Sequence, residues 1–276
     1  HGPRAGAARE RLAQAAVLAR LRRESVALDP DRLALWRAAR AGGADAPDLA
    51  RAGWAVGRLV AGAGALVGPA SARRFLGLQS EQGGESDAAE DGFGIGDVRE
   101  AALADWAARV RALRDAHPLT RAAYAEAAWR GLGLSAPGAA LEPGMVGMLL
   151  AARMGRGGAR FVPIGAAVAP GGEPEGRLAA WLDAATAGAD AALLTVERLE
   201  AWVARAEAAT ADLSGRTPSR LVAALAGRFT LSAAAAAAAT GASVSAATRN
   251  LALFESRGLV REMSGRGRFR LWSAKL

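Results

Sequence analysis

The chain has 276 residues, 35 of them basic and 27 acidic, with no cysteine and histidine only at positions 1 and 117. This excludes disulfides and thiolate metal sites and argues against a zinc centre or a Ser-His-Asp triad, so no metal, cofactor or catalytic residue is expected. No apolar stretch is long and charge-free enough to cross a bilayer, and no signal-peptide stretch follows His1; a cytoplasmic bacterial protein without membrane contact is the expectation.

In chain order, helical periodicity dominates. Leu12, Ala16, Leu18 and Leu21 carry a helix over 5–23. Asp29-Pro30-Asp31 reads as a cap with proline in the first turn, opening a helix with Leu33, Leu35 and Trp36. Pro47 starts another, with Leu49, Trp54, Val56 and Leu59. These make an N-terminal helical region, 1–78. Residues 79–97, acidic and glycine-rich, read as a mobile surface loop.

A helical body is expected over 98–213. Its helices are predicted at about 98–114, from Pro118 to Trp129 and from Met145 to Met154. After an irregular glycine- and proline-rich stretch, 156–175, two more are predicted at about 176–187 and 189–213. His117, just before Pro118, reads as a surface or capping residue, Glu126 as a residue of a helix face, and the seven tryptophans mostly as core.

The charge is uneven. Residues 214–276 hold ten basic residues against Glu255 and Glu262, while the rest of the chain holds 25 of each sign. Almost every basic residue is arginine, Lys275 being the only lysine, so composition matters less than placement. All of the excess +8 therefore sits in the last quarter, and a small domain so charged attracts polyanions, nucleic acid above all.

That quarter carries a specific pattern. Thr217-Pro218 opens a helix with Leu221, Val222 and Leu225 facing a core, and Gly227 ends it. Ser232 caps a second helix through Ala239, and Thr240-Gly241-Ala242 is the turn. Ser243 caps a third helix, about 244–257, with Val244, Ala247, Leu251 and Phe254 inward and Ser245, Ala246, Arg249 and Asn250 outward toward its N-terminal half. Gly258 stops it. Strands at about 259–263 and 268–273 then form a hairpin on Ser264-Gly265-Arg266-Gly267. Short helix, glycine turn and serine-capped helix make a helix-turn-helix pattern, in which the capped helix enters the major groove. Arg249 would reach guanine and Asn250 adenine, with Arg266 and Arg268 on phosphate or in the minor groove as a wing. The fold expected is mainly α, with a C-terminal winged helix-turn-helix carrying a small β-hairpin.

The closing GLVREMSGRGRFRLW resembles the signature of a family of alphaproteobacterial, often plasmid-borne, proteins that couple a helical domain to a C-terminal helix-turn-helix. That resemblance spans roughly residues 90–276. More distantly, the terminal stretch from Leu221 to Trp272 resembles the winged helix that ends many Fic-family proteins. HPLTRAAYAEAAWRGLGL and GMVGMLLAARM are similar to the Fic helices on either side of the active loop. Active Fic enzymes transfer part of a nucleotide to a hydroxyl through HPF-x-(D/E)-GNGR-x-x-R. Here no histidine falls around Leu132 to Leu134, Pro143 to Met148 takes the loop-to-helix position, and Met145 and Met148 stand where both arginines belong. The resemblance thus implies a degenerate, non-catalytic Fic-like body.

The reading is a DNA-binding transcriptional regulator, expected to bind double-stranded DNA as a homodimer through Ser232, Ser243, Ser245, Ala246, Thr248, Arg249, Asn250, Arg266 and Arg268. Its alternatives are an interaction or scaffold protein and, further off, a nucleotidyl-transferring enzyme of the Fic type.

Overall fold

The computed structural model describes residues 3–39, 45–62, 66, 68–76, 95–153, 159–165, 172–265 and 270–276. Among them the protein is mainly α, with eleven helices and one three-stranded antiparallel sheet. The helices and strands are, in order, α1 (Pro3–Arg23), α2 (Pro30–Ala39), α3 (Ala46–Ala61), α4 (Pro69–Leu76), α5 (Ile95–Ala112), α6 (Pro118–Gly131), α7 (Leu141–Ala152), α8 (Pro174–Ala209), α9 (Thr217–Gly227), β1 (Leu231–Ser232), α10 (Ala233–Thr240), α11 (Val244–Ser256), β2 (Val260–Glu262) and β3 (Leu271–Ala274). No helix of the described residues is long and apolar enough to cross a membrane.

Contacts divide the chain into two compact units, each assembled from separated stretches. One comprises His1–Leu18, Val26–Val56 and Ala189–Leu276; the other comprises Ala19–Ser25 and Gly57–Gly188. These discontinuous units cut across the consecutive segments 1–78, 98–213 and 214–276.

The second unit is built around α7, which is buried along almost its whole length. Its helix starts at Leu141, four residues before the predicted start, because a carboxylate far away in sequence caps it. Glu24 Oε1 accepts from the amides of Ala140 at 2.7 Å and Leu141 at 2.8 Å, satisfying donors that the first turn leaves open. Pro143 to Met148 therefore lie inside a buried helix. Its two glycines are contact points: a Cβ at Gly144 would sit 2.7 Å from Arg20 Nε, and one at Gly147 2.5 Å from Glu126 Oε2. Trp106 and Trp129 meet edge to face at 5.1 Å, with Phe75 also edge-on to Trp129 at 6.0 Å.

Glu126 is wholly buried and is not the helix-face residue that its position implied. Its carboxylate accepts from Arg20 Nη1 at 2.8 Å, from Arg130 Nη2 at 2.5 Å and from Trp181 Nε1 at 2.8 Å. His117 is exposed, and its Nδ1 accepts from Leu119 N at 3.3 Å, so it caps α6 as expected.

The two helices predicted at 176–187 and 189–213 are one, α8. Gly188 does not end a helix there; it makes room. A Cβ at 188 would lie 2.0 Å from the carbonyl oxygen of Pro163, so only glycine lets that backbone pass. The acidic loop predicted over 79–97 ends earlier, since α5 begins at Ile95; residues 79–94 lie outside the described residues.

In the first unit the sheet order is β1-β3-β2. Leu231 pairs with Trp272 and Ser232 with Leu271, while Val260, Arg261 and Glu262 pair with Ala274, Ser273 and Trp272. The sequence predicts only the β2–β3 hairpin, with β3 placed at 268–273. β1 is two residues long, too short for any alternation to announce it, and its partner β3 is far along the chain.

Candidate nucleic-acid interface

The C-terminal helices share one core. Leu221, Leu225, Ala236, Leu251 and Phe254 bury their side chains together with Leu231, Leu259 and Trp272 in and beside the strands. Trp202 of α8 anchors this core: its indole donates to the Leu259 carbonyl at 2.7 Å in a buried setting.

Local chemistry fixes the turn between α10 and α11. Ser232 Oγ accepts from Ala235 N at 3.1 Å and so caps α10; Ser243 Oγ accepts from Ala246 N at 3.2 Å and caps α11. Gly241 ends α10 at φ +72°, a conformation in which a Cβ would be strained. Arg220 reaches over this turn and donates to the Thr240 carbonyl at 2.9 Å, supplying a partner for a helix end. Arg257 closes α11, and Gly258 follows at φ +69°.

α11 presents an exposed stripe. Ser245, Arg249, Ala252 and Ser256 are spaced four, three and four apart, which places them on one face, and that face is open to solvent. It bears no acid. The side chains are small apart from Arg249, which makes no hydrogen bond or ion pair with any described residue. Ala246, Thr248 and Asn250 are half-buried beside it. Thr248 Oγ1 donates to Val244 O at 2.8 Å, and Asn250 Nδ2 to Ala246 O at 2.9 Å, so both are tied to their own helix. The hydroxyls of Ser232 and Ser243 are likewise occupied as caps. Val244, predicted to face inward, is 54% exposed, because the first turn of α11 projects past the core that Ala247 and Leu251 enter.

Of the predicted tip, Ser264-Gly265-Arg266-Gly267, only Ser264 and Gly265 lie among the described residues. Glu262 accepts from Ser264 N at 2.8 Å and Gly265 N at 3.0 Å, shaping the beginning of the hairpin turn. Burial pushes the Glu262 carboxyl up, but these donors, the Ser264 hydroxyl and nearby Arg270 outweigh it and hold the group below its ordinary value. Arg266, Arg268 and Phe269, with the rest of the predicted tip, lie outside the described residues.

The structure also redistributes the charge counted in the sequence. Arg257 makes a two-pronged pair with Asp212, at 2.6 and 2.8 Å. Arg261 does the same with Asp31, one prong at 2.6 Å. Arg270 lies 3.4 Å from Glu255 and over the ring of Trp272 at 5.1 Å. Two of these three acids lie outside residues 214–276, so the local excess is smaller than the sequence count. Arg216, Arg228 and Arg249, with Lys275, have no side-chain ion-pair partner among the described residues. No sequence signal pointed to these pairings, whose partners lie 45 and 230 residues away for Arg257 and Arg261.

α1 contacts the segment just before β1. Arg11 stacks on the Phe229 ring at 4.5 Å, and the Phe229 amide donates to Glu10 at 3.1 Å. Burial pulls the Arg11 guanidinium down to about 10, with Glu10 opposing and Arg261 adding to the shift; it stays charged at neutral pH. Among the described residues no group of three metal-ligating side chains is close enough to hold an ion.

Compared with protein-family models and with curated proteins, the chain matches none.

Proposed function

We propose that the protein is a DNA-binding transcriptional regulator whose α9, α10, α11 and sheet act as a winged helix-turn-helix. The observation that carries this reading is the outer stripe of α11: acid-free, built of small side chains, with one uncommitted arginine. Small residues let a helix lie deep in the major groove, and an unpaired guanidinium can donate twice to guanine. The serine-capped N-terminus of α11 adds amide donors suited to a phosphate. The cations Arg216, Arg228 and Lys275, unpaired among the described residues, supply sequence-independent attraction. The hairpin that Glu262 begins to shape would carry Arg266 and Arg268 as the wing, and the helical body serves as non-catalytic support.

A homodimer belongs to this reading. On α8, within the same unit, Leu193 is 63% and Leu194 46% exposed, side by side on a long helix. A second copy covering them would supply the two-fold symmetry that paired half-sites require. The same leucines favour the alternative of a scaffold protein that binds another chain.

Selection of bound duplexes from a random pool, repeated with Arg249→Ala, tests the reading. An enriched motif that the variant loses at one base pair is expected. Flat recovery from the pool at moderate salt would overturn it in favour of the scaffold.

A further inference from the structure

The second unit holds a cluster of four arginines that the DNA reading does not use. Arg111 stands at the C-terminal end of α5 and Arg114 in the turn that follows. Arg121 is in the first turn of α6, and Arg153 follows the last residue of α7. With Val110 and Leu150 they line a depression of about 320 Å³. Val110 and Leu150 are buried and give the hollow its apolar lining.

The only described acid paired with the four is Asp115, 3.5 Å from Arg114 with both side chains largely exposed. Arg111, Arg121 and Arg153 make no side-chain hydrogen bond or ion pair with a described residue. Helix ends account for part of this arrangement, since cations complement the carbonyl ends of α5 and α7. They do not account for Arg121, which sits at an amide end, where a cation is disfavoured. Four like charges around one hollow repel each other, and a multivalent anion relieves that repulsion.

We propose that this depression binds a compact anion carrying two or three phosphate groups. The four guanidiniums less Asp115 leave three positive charges, which a polyphosphate matches and a single phosphate does not. Planar guanidiniums pair two-pronged with phosphate oxygens. The hollow is near the lower end of the roughly 300–1,000 Å³ usual for small-ligand sites. Its concavity suits a small ligand better than the convex backbone of a duplex. Inorganic polyphosphate and a nucleoside polyphosphate share this chemistry.

The test is calorimetric titration of the full chain with inorganic triphosphate, ATP and monophosphate, on the parent and on the Arg121→Ala/Arg153→Ala double variant. Saturable one-to-one binding of triphosphate, at least tenfold tighter than monophosphate, is expected. The double variant should weaken it by on the order of a hundredfold, two charge-assisted contacts at about tenfold each. Arg249→Ala should leave it unchanged. ATP binding as tightly as triphosphate assigns recognition to the phosphates alone; tighter ATP binding assigns a nucleotide.

Because the arginines are on the rim, the double variant should melt at the parental temperature without ligand and lose the rise that triphosphate gives the parent. If it fails to fold, Arg121→Gln alone takes its place, with tenfold weakening expected. No saturable binding, equal affinity for monophosphate, undiminished binding by the variants, or displacement of triphosphate by duplex DNA would overturn the proposal.

Discussion

Arg20 Nη1 lies 2.8 Å from Glu126 Oε1, with both side chains fully buried and a sequence separation of 106 residues between them. Desolvation pulls the Arg20 guanidinium below its ordinary value, and Glu126 opposes that pull. Two other nitrogens of Arg20, Nε and Nη2, are buried without a partner among the described residues. The pair is thus costly to bury and more costly to break. Glu126→Ala strands the Arg20 charge and leaves the Trp181 indole unpaired, and should cost about 3–5 kcal/mol. Arg20→Met should cost less, since Arg130 still serves Glu126. Urea midpoints of the two variants check the order; Arg20→Met as the worse would refute it.

Gly188 and Gly57 are both helical glycines with opposite expectations. Gly188→Ala drives a Cβ toward the Pro163 carbonyl, backbone that cannot rotate away, and should cost about 1–3 kcal/mol despite alanine's higher helix propensity. Gly57 is exposed in α3 with nothing within 4 Å of the added carbon, so Gly57→Ala should gain up to about 1 kcal/mol. Thermal melts of the pair separate a packing glycine from a dispensable one.

The Arg257–Asp212 pair predicts a pH signature. The hydrogen bond from Arg257 holds the Asp212 carboxyl below its ordinary value, burial opposing weakly. A depressed carboxylate contributes stability that is present above its unfolded pKa, about 3.9, and lost as pH falls through the folded value. Asp212→Asn should therefore melt below the parent at neutral pH, and the gap should close as pH drops below about 4. Because Asp212 is 63% exposed and Arg257 only half-buried, the gap is small and shrinks with salt. A gap that persists in acid would show that the substitution acts through something other than the lost charge.

On the proposed DNA-binding reading, the arginines of the last quarter should not all matter equally. Arg249→Ala should lose about 1–3 kcal/mol of discrimination at one base pair. Arg228→Ala, removing a cation that no described acid meets, should weaken all duplexes alike and lower the salt slope by about one. Arg261→Ala should leave that slope nearly unchanged, because its charge is already met by Asp31. Fluorescence anisotropy over a salt series distinguishes the three, and equal slopes for Arg228→Ala and Arg261→Ala would show that Asp31 releases its partner on binding.

What could be read along the chain was what short-range chemistry controls. Ser232 and Ser243 cap because a hydroxyl three residues ahead of an amide can reach it. Gly241 and Gly258 end helices because a positive φ suits them, and Ala247, Leu251 and Phe254 turn inward by periodicity. His117 was legible as a cap for the same reason.

The misreadings share another cause. Gly188 looked like a break because its reason for being glycine, Pro163, is elsewhere in the sequence. Glu126 reads as a helix-face residue because Arg20 and Trp181 are far along the chain. α7 began early because Glu24 caps it from 116 residues away.

The sequence by itself thus determined the mainly helical fold, the capped helices and turn of the terminal module, and the surplus of positive charge. Only the tertiary structure decided which charges remain free to meet a partner. Arg257, Arg261 and Arg270 are met by Asp212, Asp31 and Glu255, while Arg249 is left open among the described residues and four arginines converge on one hollow. The physical reason is range: a helix and the caps that its own neighbouring residues supply are settled within four residues, whereas a charge, or a cap reached from far along the chain such as Glu24, is settled by whatever the fold brings within a few ångströms of it.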